Sequence, residues 1–119
     1  MSSAGSFEAL PVETPFPGVR RRTFSSKQAT VAEYSFDAGA RFPLHRHTPE
    51  QTTLVLEGDV ELVAEGQPQT LTAGAWSVLP GGIEHGITAG PHGARVLVVL
   101  VPRRSPDDAV TLTTTTEHA

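Results

Sequence analysis

The chain contains no cysteine. That excludes disulfides, thiolate zinc sites and a cysteine nucleophile, and it suits a reducing compartment such as the cytoplasm. Long apolar runs are missing too. The longest, Val96 to Val101, falls far short of the roughly 20 residues that span a bilayer, so no membrane segment is expected. The first residues lack a basic region followed by an apolar stretch, and no signal peptide is expected. Positive charge is scarce: the net charge is −4 and the pI about 5.7. Such a balance sets up no field that gathers nucleic acid or anionic lipid. The one basic cluster, Arg20-Arg21-Arg22, reads as a solvated strand start rather than a phosphate-binding patch.

What the sequence has in plenty is punctuation. Eleven glycines and ten prolines in 119 residues interrupt the chain too often for long helices. No segment sustains a 3.6-residue apolar period over three turns. Short apolar segments recur instead, at 28–36, 51–56, 60–64, 69–72, 75–79, 85–88 and 94–101, several of them rich in Val, Thr and Leu. Turn chemistry separates them at Asp37-Ala38-Gly39, Glu57-Gly58-Asp59, Glu65-Gly66, Thr72-Ala73-Gly74, Pro80-Gly81-Gly82 and Gly90-Pro91-His92-Gly93. The pattern predicts one all-β domain, a sandwich or barrel, over residues 19–104. Residues 1–18, broken by Pro11, Pro15 and Pro17, read as an irregular arm with a short strand near Phe7–Leu10. Residues 105–119 read as a flexible tail.

Within this frame the histidines stand out. His45 and His47 are two apart, which on a strand puts both imidazoles on one face. Gln51 keeps that parity if the strand runs on past Pro49, and Glu50 then points the other way. His85 arrives after Pro80-Gly81-Gly82, from a neighbouring strand. A lone strand histidine is usually a hydrogen-bonded structural residue, but a same-face pair can also converge on one ion. Arg46 faces away from that pair.

These residues carry a resemblance. The stretch from Gly39 through His45, His47 and Gln51 to Gly58 resembles the first cupin motif, a glycine, H-x-H, a glutamate and a closing glycine. The stretch Gly74 through Pro80-Gly81-Gly82 to His85 resembles the second. The resemblance implies a double-stranded β-helix, a jelly-roll barrel, with one divalent metal inside on His45, His47, Gln51 and His85. Two positions depart from the motif: Gln51 stands where glutamate is usual, and Ala89 where an asparagine is. An amide in place of a carboxylate leaves the ion its full charge, which strengthens its Lewis acidity and favours anionic ligands. Such a three-His-one-Gln set resembles that of some lyase and isomerase cupins. Glu50 is the competing ligand if a bulge shifts the register. Nitrogen and amide-oxygen donors suit Mn, Fe, Co or Ni, with Zn and Cu admitted by affinity order.

Other candidates surround this set. Arg41, four before His45, is placed to bind a substrate carboxylate; its plain reading is a surface arginine. Tyr34 and Phe36 alternate toward the interior, and Tyr34 is a candidate proton donor, its plain reading a core tyrosine. Glu50 is a candidate base. Leu97 and Val99 read as pocket walls, and Trp76 as a residue packed in the core or at a subunit interface. His92 and His118 are not expected to be ligands.

Three functions follow. The first is a metal-dependent lyase, isomerase or cyclase acting on a chelating hydroxy or oxo small molecule. The second is an Fe(II) dioxygenase, and the third a non-enzymatic ligand-binding or sensor module. By resemblance the chain is a homodimer, with the arm available for strand exchange and for covering a sheet edge.

Overall fold

Two glycine-bearing segments with turn chemistry, around Gly58 and Gly90–Gly93, do not end strands; they bend them. A computed structural model of the chain describes residues 2–104 and 111–112. The strands are β1 (Glu13–Phe16), β2 (Val19–Ser25), β3 (Thr30–Phe36), β4 (Arg41–Arg46), β5 (Glu50–Ala64), β6 (Gln67–Thr72), β7 (Trp76–Leu79), β8 (His85–Val101) and the two-residue β9 (Thr111–Leu112). The segments 51–56 and 60–64 are thus one strand, as are 85–88 and 94–101. Their bends are matched: β5 and β8 pair antiparallel from Glu50↔Val101 to Ala64↔His85, with register shifts on either side of Gly58. Gly58 has φ 73°, and a Cβ there would overlap the carbonyl oxygen of Gly93. Only glycine lets the two strands turn this corner together.

Past the corner the partners change. The half of β8 after the bend pairs with β3, and the half before it with β4. The first half of β5 pairs with β7 and the second with β6. One continuous sheet thereby wraps into the jelly-roll barrel. The core lies inside it, with Val19, Ala32, Phe36, Val55, Val60, Leu62, Val96, Val98 and Leu100 among its buried residues. Alternation within β8 is clear: Val96, Val98 and Leu100 point inward, whereas Leu97 and Val99 are only partly buried and Val101 is exposed.

The N-terminal arm departs from expectation. Phe7–Ala9 forms a single 3₁₀ turn, not a strand; Ser6 caps it by accepting from the Glu8 amide, and strand pairing starts at Glu13. Ser at such a position favours a capped turn over extended chain. The expected tail lies outside the described residues except for Thr111 and Leu112, whose backbone pairs with His45 and Arg46. No helix among the described residues is long and apolar enough to cross a membrane.

Candidate metal centre

His45 and His85 face each other as a cross-strand pair between β4 and β8. Their ring centroids are 4.3 Å apart. His47 follows the end of β4, and its ring centre is 4.8 Å from that of His85. Gln51 enters from β5 and is buried, like His45 and His85. The Pro80-Gly81-Gly82 turn pins the short link between His47 and Gln51: the Gly82 amide donates to the His47 carbonyl at 2.8 Å.

The hydrogen bonds fix the tautomers. Each ring's Nδ1 lies against a backbone carbonyl: His45 on Pro43 at 2.8 Å, His47 on Pro49 at 3.0 Å and His85 on Ile83 at 2.8 Å. A carbonyl can only accept, so each Nδ1 carries its ring's hydrogen and each Nε2 keeps a lone pair. Protonation of both nitrogens is strongly disfavoured for two of the rings. Burial holds His45 down to about 3, helped by His85 against the Pro43 bond, and burial holds His85 down to about 4 against its bond to Ile83.

The Nε2 atoms of His47 and His85 nonetheless approach the Gln51 Oε1 to 2.9 and 3.1 Å. Gln51 turns its amide nitrogen away, donating to Thr53 Oγ1 at 3.0 Å. Acceptor atoms therefore converge with no hydrogen left to share. A cation is the occupant this donor set fits. The three histidines offer ligand atoms within 4.8 Å of one another, and the set is neutral, nitrogen and amide oxygen only.

Beside the cluster lies a small cavity of about 30 Å³ that opens to solvent. Phe36, Phe42, Ile87, Val98 and Leu100 give it apolar walls, Tyr34 a phenol and Arg104 a guanidinium. Aromatic rings run from the arm to the site: Phe16 meets Phe42 at 4.8 Å, and Phe42 meets His45 at 4.6 Å. Tyr34 packs on Phe42 as well, at 5.9 Å.

The structure brings together His45, His47, Gln51, His85 and Tyr34. Arg41 and Glu50 do not join them. Between Phe42 and His45, β4 carries one residue more than its partner: Phe42 pairs with Ile87 and His45 with His85. That bulge reverses parity, so Phe42 rather than Arg41 shares the inner face with His45, and Arg41 lines a separate outer groove with Glu61 and Thr88. Glu50 is exposed, on the face opposite Gln51. The walls from β8 are Val98 and Leu100, not Leu97 and Val99. Trp76 is 68% exposed, which rules out core packing. His92 is exposed and apart from the cluster, Arg46 faces outward toward Glu84, and His118 lies outside the described residues.

Sequence reasoning missed three residues. Phe42 was hidden by the bulge. Thr53 was legible, two residues beyond Gln51 on the same face. Arg104, beyond the last long strand, gave no signal in pattern or spacing.

A jelly-roll barrel that gathers three histidines and a glutamine on its inner face is the architecture of a cupin. Residues 32–100 match the cupin domain family, and the chain belongs to it. Dimethylsulfoniopropionate lyase DddW of Ruegeria pomeroyi is 42% identical over 60 residues, half of this chain and 40% of that one; the chain thus matches well under two thirds of that relative. Among solved structures, an RmlC-like cupin from Shewanella frigidimarina superposes with a TM-score of 0.79 at 27% identity, over 87% of this chain and 95% of that one. The polyketide cyclase RemF of Streptomyces resistomycificus gives 0.78 at 25% identity, over 98% and 89%.

Proposed function

We propose that the protein is a metal-dependent enzyme that uses one divalent ion, held by His45, His47, Gln51 and His85, as a Lewis acid on a small chelating hydroxy or oxo compound. The reaction is of the lyase, isomerase or cyclase type. One observation carries this reading: neutral acceptor atoms converge beside a cavity that opens to solvent, with their tautomers set by backbone carbonyls. A divalent ion bound there supplies Lewis acidity undiminished by ligand charge; Mn, Fe, Co, Ni and Zn all suit the donors. The similarity to a lyase and to a cyclase supports the choice of reaction class.

The protein's own residues supply the rest. Tyr34 faces the cavity, and Arg21 donates to its phenol oxygen at 3.3 Å. A phenol that already accepts keeps its own hydrogen for a partner inside, so Tyr34 delivers a proton to a leaving group or to carbon. Arg21 is itself held by Glu13 of β1 at 2.9 Å, which ties the arm to the proton donor. The apolar walls exclude water around the reacting atoms. A homodimer belongs to the same reading. Leu54 and Trp76 form a cross-strand pair on the outer face of β5 and β7, with Leu56 and Val78 also exposed on these strands, and apolar patches of this kind mark association surfaces.

Metal analysis of untagged protein, beside a His47→Ala variant, tests the site. About one ion per chain in the wild type, lost in the variant, is expected. Candidate hydroxy and oxo acids are then screened by NMR with and without O₂. Turnover without O₂ uptake is the expected result; turnover that requires O₂ would replace this reading with that of a dioxygenase. A protein that takes up no divalent ion would be a binding module instead.

A further inference from the structure

The cavity's single guanidinium has no place in the mechanism above. Arg104 lies beyond β8, where strand pairing has ended, yet its backbone is fixed: its amide donates to Thr30 Oγ1 at 2.9 Å. Thr30 is buried, and its hydroxyl is also bonded to Ser25 at 3.0 Å. The side chain lines the same cavity as His45, His47, Gln51 and Tyr34. Among the described residues no carboxylate pairs with it, whereas Arg20, Arg21, Arg46 and Arg95 all have acidic partners. Among the described residues no other charged side chain lines the cavity, and its charge is felt at the His45 ring.

From this arrangement we infer that Arg104 anchors the carboxylate of an anionic substrate whose second oxygen, a hydroxyl or oxo group, reaches the His45–His47–Gln51–His85 cluster. The inference rests on the metal-dependent reading of that cluster and narrows its substrate class to small carboxylic acids. A planar guanidinium matches a carboxylate with two parallel hydrogen bonds. Apart from the Tyr34 phenol, the remaining walls are phenyl and aliphatic groups, which leaves too few donors for the additional oxygens of a phosphate. A neutral metal ligand set together with a cation leaves the cavity in want of negative charge. The role expected of Arg41 thus falls to Arg104, which lines the inner cavity while Arg41 lines the outer groove.

The test compares glycolate with its neutral amide, glycolamide, as probes. Co²⁺-loaded protein is titrated with each while its visible absorption is followed, in wild type, Arg104→Gln and Arg104→Lys. Wild type is expected to prefer glycolate by about tenfold or more, as a charge-assisted contact in a sheltered site allows. Arg104→Gln should lose most of that preference and keep only what the ion itself contributes, Arg104→Lys should keep more of it, and all three should bind Co²⁺ equally. An undiminished preference in Arg104→Gln overturns the anchor. The same titration of metal-free protein, followed through the Arg104 Nε–H NMR signal, separates the two readings. If no Co²⁺ binds but glycolate shifts that signal, the metal reading fails and the anchor stands. If glycolate leaves the signal unmoved in every form that can be prepared, the anchor fails on its own account.

Discussion

The two faces of β4 make an instructive pair. On the inner face, Phe42 and His45 sit in a buried, largely apolar space, and burial, helped by the charge of His85, keeps the His45 ring neutral. On the outer face, one residue away, Arg41 borders an open groove with Glu61 and Thr88. The residue types do not decide which face does chemistry, since Arg, Glu and Thr are as capable in principle as His and Gln. Enclosure does. Inside, tautomers are imposed by backbone carbonyls, and desolvation raises the worth of every electrostatic contact. Outside, water screens each group.

The contrast is broken most directly by removing a ligand. His85→Ala should lower metal affinity by more than about 100-fold, beyond the range typical of a lost supporting contact, in a competition titration against a chelator. A variant that still held its ion tightly would mean the inner face is not the metal site. Thr53→Val tests the layer behind the ligands. It leaves the Gln51 amide nitrogen without its acceptor, and affinity should fall about tenfold, with Thr53→Ser restoring most of it.

Acid sharpens the contrast by a different route. In metal-free protein the folded state keeps His45 and His85 neutral down to about 3 and about 4, while the unfolded chain takes up protons near 6.5. Between those values the unfolded state binds more protons, so stability falls as the pH falls from about 6.5 toward 4. Urea midpoints at pH 7, 5.5 and 4.5 should decline in that order; a flat profile would show that the rings are hydrated. The smallest effect belongs to the outer face. Arg41→Ala and Glu50→Gln should each change metal affinity by less than about twofold, as expected for groups screened by water. A tenfold loss in either would bring the outer face back into the site.

Much of this molecule could be read from its residues, for identifiable reasons. Short apolar segments cut by glycine and proline punctuation are a direct imprint of a sheet, and they pointed to a sandwich or barrel. His45 and His47 stood out through their i, i+2 spacing, and Gln51 and His85 joined them through the resemblance to the cupin motifs. Legibility stopped where the strand became irregular. The extra residue between Phe42 and His45 is invisible in composition, and it moved Arg41 to the wrong side. The corner at Gly58 looked like a chain reversal, because a glycine that permits a bulge and one that permits a turn are the same glycine. Arg104 escaped because its place depends on the amide bond to Thr30, a contact between residues far apart in the chain.

The division between inside and outside also has an optical counterpart. The chain has one tryptophan and one tyrosine, and the fold sends them to opposite sides of the wall. Trp76 stands in water on the outer face, and Tyr34 lines the cavity. Indole emission will therefore register whatever covers the exterior and stay nearly blind to events within. Phenol absorption, near-ultraviolet dichroism included, will follow the interior. Two unmodified chromophores thus give separate channels for association and for occupancy of the cavity, with no label attached.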